Sequence, residues 1–177
     1  MRAGPTRRPQ PNDVRLDELD EQILWALFKD ARTPNNALAE QLGVSPSTTL
    51  TRMRALREAG ILRSSHAEID ATAVGLHIQA LVFVRLRPQA RPEIKSYSQR
   101  VIMLPNVMDI YFLGGEDDFL IHVACTSTEQ LRGFVATKLS MDPAVASTRT
   151  QIVFEHLIGA QHRGHVTSFA EMRTAIT

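Results

Sequence analysis

The chain has 177 residues, 44% of them apolar and 22% charged, with 20 Lys and Arg against 19 Asp and Glu. This is a soluble globular balance, enough for one large core or two small ones, and its longest apolar runs fall far short of the roughly 20 residues of a membrane span. Cys125 is the lone cysteine and the N-terminus has no apolar h-region, so neither a disulfide framework nor a secretory signal is expected, and a cytoplasmic setting fits.

Residues 1–15 are basic and Pro-rich, with Arg2, Arg7, Arg8 and Arg15 against Asp13. They read as a flexible arm, either an extension without a role or a source of phosphate contacts. Leu16 to Asp30 reads as a helix capped by Asp17. Asp20 is its capping-box partner, and the dipole favours the acids of the first turn. Ile23, Leu24, Leu27 and Phe28 make the buried stripe, with Trp25 at the core's edge. Thr33 should cap a second helix that has Pro34 at its first position and Leu38, Ala39 and Leu42 inward.

Gly43 suits a left-handed helix end, after which Ser45 and Pro46 open a third helix that ends at Gly60. At 100° per residue, Leu50, Met53 and Leu56 fall on one side; Ser47, Thr48, Thr51 and Arg52 fall on the other, with Arg54 at its edge. Thr49 lies toward the core. Three helices with a tight turn between the last two make a helix-turn-helix domain over residues 16–62. Hydroxyls and guanidiniums at the front of its last helix suit double-stranded DNA: Ser45, Ser47, Thr48, Thr51, Arg52 and Arg54 are the candidate contacts. The plainer reading is a solvated helix face. This domain holds more acids than bases, so any DNA affinity must come from local placement and from pairing of copies.

Residues 63–76 read as a connecting strand and linker: Ile61 to Ile69 is strand-like, and Asp70 to Gly75 is a polar wing or hinge. From His77 strands and helices alternate. Leu81 and Phe83 make the second face of the His77 to Leu86 strand apolar as well. A helix opens at Pro92 and runs to about Leu104, with Ile94, Tyr97, Val101 and Leu104 inward. Val107 to Leu113 and Phe119 to Cys125 are strands joined by Gly114, Gly115, Glu116, Asp117 and Asp118 as a hairpin turn. Ser127 and Gln130 form a capping box for a helix to about Leu139, and the last strand lies within Val145 to Ile158. The order β-α-β-β-α-β over residues 77–160 is the ferredoxin-like split unit, giving an α+β chain. Its helix-free sheet face reads as bare and apolar, which calls for a homodimer. Residues 161–177 read as a tail with little pattern; His162 and His165 lack the companions of a metal site.

A helix-turn-helix followed by such a domain resembles the Lrp/AsnC (feast/famine) transcription regulators. The residues that carry the resemblance are LDELDEQIL (16–24), DART (30–33), LAEQLGVSPSTTLTRMRALREAGIL (38–62) and LGGEDDFLI (113–121). It implies a DNA-reading helix at LGVSPSTTLTRMRALREAGI, dimers or rings of four dimers, and a small effector, usually an amino acid, bound near Gly115 to Asp118 where dimers meet. Arg63 and Ser64 depart from the family's frequent Gly-Tyr pair, and the arm and the tail are extras.

The turn's backbone N–H groups suit a carboxylate and its acids an α-ammonium, making Gly114, Gly115, Glu116, Asp117 and Asp118 the candidate effector contacts. Thr148 and Thr150 on the last strand are further candidates. A hairpin with solvated acids is the plainer reading. The expectation is a cytoplasmic, nucleoid-associated regulator with no cofactor, no metal and no enzymatic activity, whose assembly or DNA affinity answers to an amino acid. The alternative is a DNA-organising oligomer without an effector.

Overall fold

Asp17 starts the first helix, α1 (Glu18–Lys29), with a complete capping box: its side chain accepts the Asp20 N–H, and the Asp20 carboxylate accepts the Asp17 N–H. This computed structural model describes residues 15–63, 69–157 and 167–174. The arm over 1–14, Ser64, His162 and His165 lie outside the described residues. The chain divides into two units, residues 1–67 with 157–177, and residues 68–156.

In the first unit α2 (Asn35–Leu42) and α3 (Pro46–Glu58) follow α1, and Ile23, Leu27, Leu38, Met53 and Leu56 form the shared core. Gly43 ends α2 at φ 65°, its N–H and that of Val44 turning back to carbonyls of the last helical turn. Thr33 does not cap α2. Its hydroxyl donates to the Asp30 carbonyl, and Pro34 occupies the cap position without a side-chain bond. Leu50 is 37% exposed, and the buried side of α3 is Thr49, Met53 and Leu56. Thr49 lies inward as expected, where Asn35 gives its hydroxyl a partner, and Leu50 is the residue of the expected stripe that stands out from the core.

No strand follows α3 over residues 61–63 or at Ile69; residues 64–68 lie outside the described residues. Thr72–Val74 is a single 3₁₀ turn held by the Asp70 carboxylate.

The second unit runs β1 (Ile78–Leu86), α4 (Ile94–Val101), β2 (Val107–Phe112), β3 (Phe119–Cys125), α5 (Thr128–Phe134) and β4 (Val145–Val153). Its sheet order is β2-β3-β1-β4, with every neighbouring pair antiparallel, as a ferredoxin-like unit requires. Alternate residues Ala80, Val82, Val84 and Leu86 of β1, with Phe119, Ile121 and Val123 of β3, are buried beneath Tyr97, Val101, Leu131, Phe134 and Leu139. Before α4 the chain makes a 3₁₀ segment, Pro88–Glu93, so α-helix begins only at Ile94; Pro92 has no N–H to continue an α ladder. α5 widens into a π-helical segment, Val135–Ser140, which ends with the Met141 N–H on the Ala136 carbonyl.

The helix-free face is not bare. Leu81, Phe83, Leu120 and Tyr111 make an apolar centre through the β1–β3 and β2–β3 registers. His122 lies 2.9 Å from Gln79 Oε1 and 3.4 Å from Asp109 Oδ2, and the Arg149 guanidinium covers Phe83 at 4.3 Å. The strand alternation exposed the apolar residues but not these long polar side chains folding over them.

A second departure lies in the tail. Residues Phe169–Thr174 form a sixth helix, α6, which packs on α1.

Candidate DNA-binding and effector sites

The start of α3 is a hydroxyl cluster. Ser45 Oγ accepts the Thr48 N–H at 3.1 Å and lies 2.8 Å from Ser47 Oγ and 2.7 Å from Thr48 Oγ1. The Thr51 hydroxyl donates to the Ser47 carbonyl, and the Arg54 side chain is exposed without a partner among the described residues. Ser45, Ser47, Thr48, Thr51 and Arg54 thus share one accessible end and side of the helix.

Arg52 stands apart from them. Its Nη1 is 2.7 Å from Asp17 Oδ2 and 3.3 Å from Asp20 Oδ2, so its charge is spent on α1. The Asp20 N–H first, and the Arg52 guanidinium after it, hold the Asp17 carboxyl below its ordinary value. Asn35 was not foreseen as part of the module. Its Nδ2 donates to the Pro46 carbonyl at 2.8 Å, and its Oδ1 accepts the Thr49 hydroxyl at 2.7 Å, fixing the start of α2 against the start of α3. An amide side chain just after Pro34 was the available signal, with its partners 11 and 14 residues away.

In the second unit the hairpin turn is tied down. Asp118 is buried and its carboxylate accepts the Leu86 N–H at 2.8 Å, while Arg91 lies 3.7 Å away. Asp117 pairs with Arg149 at 2.9 Å and Glu116 with Arg85. Gly115 adopts φ 147°, whereas Gly114 has no positive φ. The three acids therefore each have an arginine beside them, and backbone positioning is the first job of Asp118.

Thr148 and Thr150 lie elsewhere, on the helix side of β4. Ser140 Oγ is 2.9 Å from Thr148 Oγ1. Beside that pair opens a cavity of about 670 Å³, walled by Leu131, Val135, Ala136, Met141 and Ile152, with Thr150 in its lining and Thr128, Arg132 and Ser140 as further polar groups. None of Gly114 to Asp118 lines it. Among the described residues no group of three His, Cys, Asp or Glu side chains is arranged to hold a metal, and no helix is long and apolar enough to cross a membrane.

Two family models match the chain, one described as winged helix-turn-helix DNA-binding over residues 16–63 and one as the Lrp/AsnC ligand binding domain over residues 79–161. The HTH-type transcriptional regulator AldR of Mycolicibacterium smegmatis is 50% identical over 153 residues, 85% of this chain and 90% of that protein. The chain belongs to the Lrp/AsnC family. It is a DNA-binding transcriptional regulator with an effector-binding domain. The crystal structure of MtbAldR superposes with a TM-score of 0.71 at 46% identity, over 82% of this chain and 99% of that one. A transcriptional regulator from Neisseria meningitidis, solved as its L-Met complex, superposes with a TM-score of 0.72 at 28% identity, over 82% of this chain and 94% of that one. The hydroxyl-rich front of α3 falls within the first match, and the β4 cavity and the hairpin turn fall within the second.

Proposed function

We propose that α3 meets double-stranded DNA through Ser45, Ser47, Thr48, Thr51 and Arg54, and that Arg52 holds the helix rather than reading a base. The hydroxyls and the Ser45 cap suit phosphate contacts that set register, and Arg54 is the free guanidinium for a base edge. The chain works as a homodimer through Leu81, Phe83, Tyr111 and Leu120, with rings of dimers as its higher assembly, in the cytoplasm and on the nucleoid.

The effector is an amino acid with an apolar side chain. The observation that carries this is the β4 cavity, whose walls are mostly aliphatic and whose hydroxyls at Thr150 and Ser140 offer a few polar anchors. The L-Met complex of the Neisseria meningitidis neighbour supports the same ligand class. The glycines and acids of the hairpin do not reach this cavity within one chain; they join the site where another copy abuts, offering backbone N–H groups and Glu116 to the ligand's charged ends.

Calorimetry with the twenty amino acids tests the effector, run beside light scattering with each ligand present. Heat and a change of assembly are expected with leucine, methionine or similar side chains, and none with aspartate or lysine. Absence of heat with all twenty sinks the amino-acid reading and favours a DNA-organising oligomer that needs no effector.

A further inference from the structure

α1 carries more apolar surface than its own domain uses. Ile23 and Leu27 face α2 and α3 in the core, while Trp25 and Phe28, with Leu24 between the two stripes, point to a second side. A helix apolar on two sides needs a second cover. Here the cover is α6, which lies beyond the matched ligand-binding domain, whose last residue is 161. Phe169 sets its ring 4.8 Å from Trp25, edge to face, and 5.6 Å from Phe28. Arg173 Nη2 reaches both carboxylate oxygens of Glu21, at 3.2 and 3.1 Å. Met172 joins Leu16 and Leu24 around the same groove.

The segment is also built to be a helix. The Ser168 hydroxyl accepts the Glu171 N–H, and the Glu171 carboxylate accepts the Thr167 N–H and hydroxyl at 2.7 Å. Six residues are far too few to hold a helix alone, so α6 owes its order to α1. Its contacts are on α1, and Ser47, Thr51 and Arg54 of α3 stay exposed, so it does not plug the DNA-reading surface.

We propose that the C-terminal segment is a strap: by docking Phe169 and Arg173 on α1, it gives the DNA-binding domain a second tie to the ligand-binding domain and so restrains the spacing of paired recognition helices. The chain leaves the first unit after Ala67 and returns to it at Leu157, so the second unit is joined to the first at both ends of its sequence. A change of assembly in the ligand-binding domain then reaches the DNA-binding domain along two connections instead of one. This rests on the DNA-binding function of the family and adds to it a segment that neither family model covers.

Trp25 is the chain's single tryptophan and reports docking directly. The full-length protein is compared with F169A, R173E and a chain ending at Val166. The readings are tryptophan quenching by acrylamide and anisotropy titration on duplexes carrying one or two copies of a selected half-site at varied spacing. All three variants are expected to quench more strongly and with red-shifted emission. They should bind the single half-site within about twofold of the parent, and the paired half-sites about tenfold more weakly with a flatter dependence on spacing. Unchanged quenching in all three variants would show that α6 is not docked on Trp25. Stronger quenching with unchanged paired-site affinity and spacing would show a docked segment that is no strap. Loss of DNA binding by the parent itself would strike the DNA-binding reading, not the docking.

Discussion

Arg52 Nη1 sits 2.7 Å from Asp17 Oδ2, so the recognition helix is pinned to the cap of the first helix by its own guanidinium. The pair, with Asp20 as second partner, ties α3 to the start of α1. Arg52→Ala should lower the melting temperature and weaken binding to cognate and competitor duplexes in equal proportion. Arg54→Ala should leave the melting temperature alone and cost about 1–3 kcal/mol at the cognate site only. Anisotropy titrations at fixed salt with both duplexes separate the two patterns, and the reverse assignment would exchange the roles of the arginines.

Acid should attack the same junction. The Asp17 carboxyl is held below its ordinary value of 3.8, chiefly by the Asp20 N–H and then by Arg52. A folded-state value below the unfolded one means that the contribution is complete above the unfolded value and fades as pH falls through the folded one. Thermal melts from pH 7 down to pH 2 should therefore show an acid limb that flattens in Asp17→Asn, whose amide oxygen still caps. A limb of equal steepness in that variant would assign the acid loss to other carboxylates.

Thr49 should matter more than its small size suggests. It is fully buried and donates to Asn35 Oδ1 at 2.7 Å. Thr49→Val keeps the shape but strips Asn35 of its partner, and about 1–3 kcal/mol of stability should go with it. Urea unfolding measures the loss; a change under about 0.5 kcal/mol would show that water satisfies the Asn35 oxygen as well.

The fold class and most of the elements are legible in the sequence, because caps and alternation are local signals. Asp17 with Asp20, Gly43, Ser45 before Pro46 and the parity of β1 each declare themselves within a few residues. What escaped was set by partners far along the chain. Arg52 looks free in sequence because its acids lie 32 and 35 positions upstream, and the bonds of Asn35 to Pro46 and Thr49 span 11 and 14 positions. The β4 cavity needed Ser140 and Thr148 to meet across a turn, which spacing alone does not show. α6 is different: Ser168 and Glu171 stand three apart before Met172, and this local signal does cap the helix.

Filling the β4 cavity should silence the effector response. Ile152, 45% exposed at its wall, offers the position: Ile152→Trp should abolish the heat of amino-acid binding while leaving DNA binding without effector unchanged. Thr150→Val, nearly equal in shape, should weaken binding by about 1 kcal/mol through the lost hydroxyl. Full heat with Ile152→Trp would move the ligand to the hairpin turn alone.

The open sheet face should decide assembly. Leu81→Asp sets a carboxylate amid Phe83 and Leu120, and light scattering should find monomers where the parent is dimeric, with paired-site DNA affinity falling in step. A dimer that survives this change would place the pairing surface elsewhere.

The π-helical segment Val135–Ser140 gives the second domain a place where its length is adjustable. A π turn holds one residue more than the α turn that would otherwise stand there. Losing a single residue from it would restore ordinary helical spacing and swing Ser140 and Met141 away from Thr148 and Ile152, with Leu139 drawn from the core. Members of a family that keep one scaffold and answer to different small molecules have, in such a segment, a way to redraw the pocket wall by indel rather than by substitution.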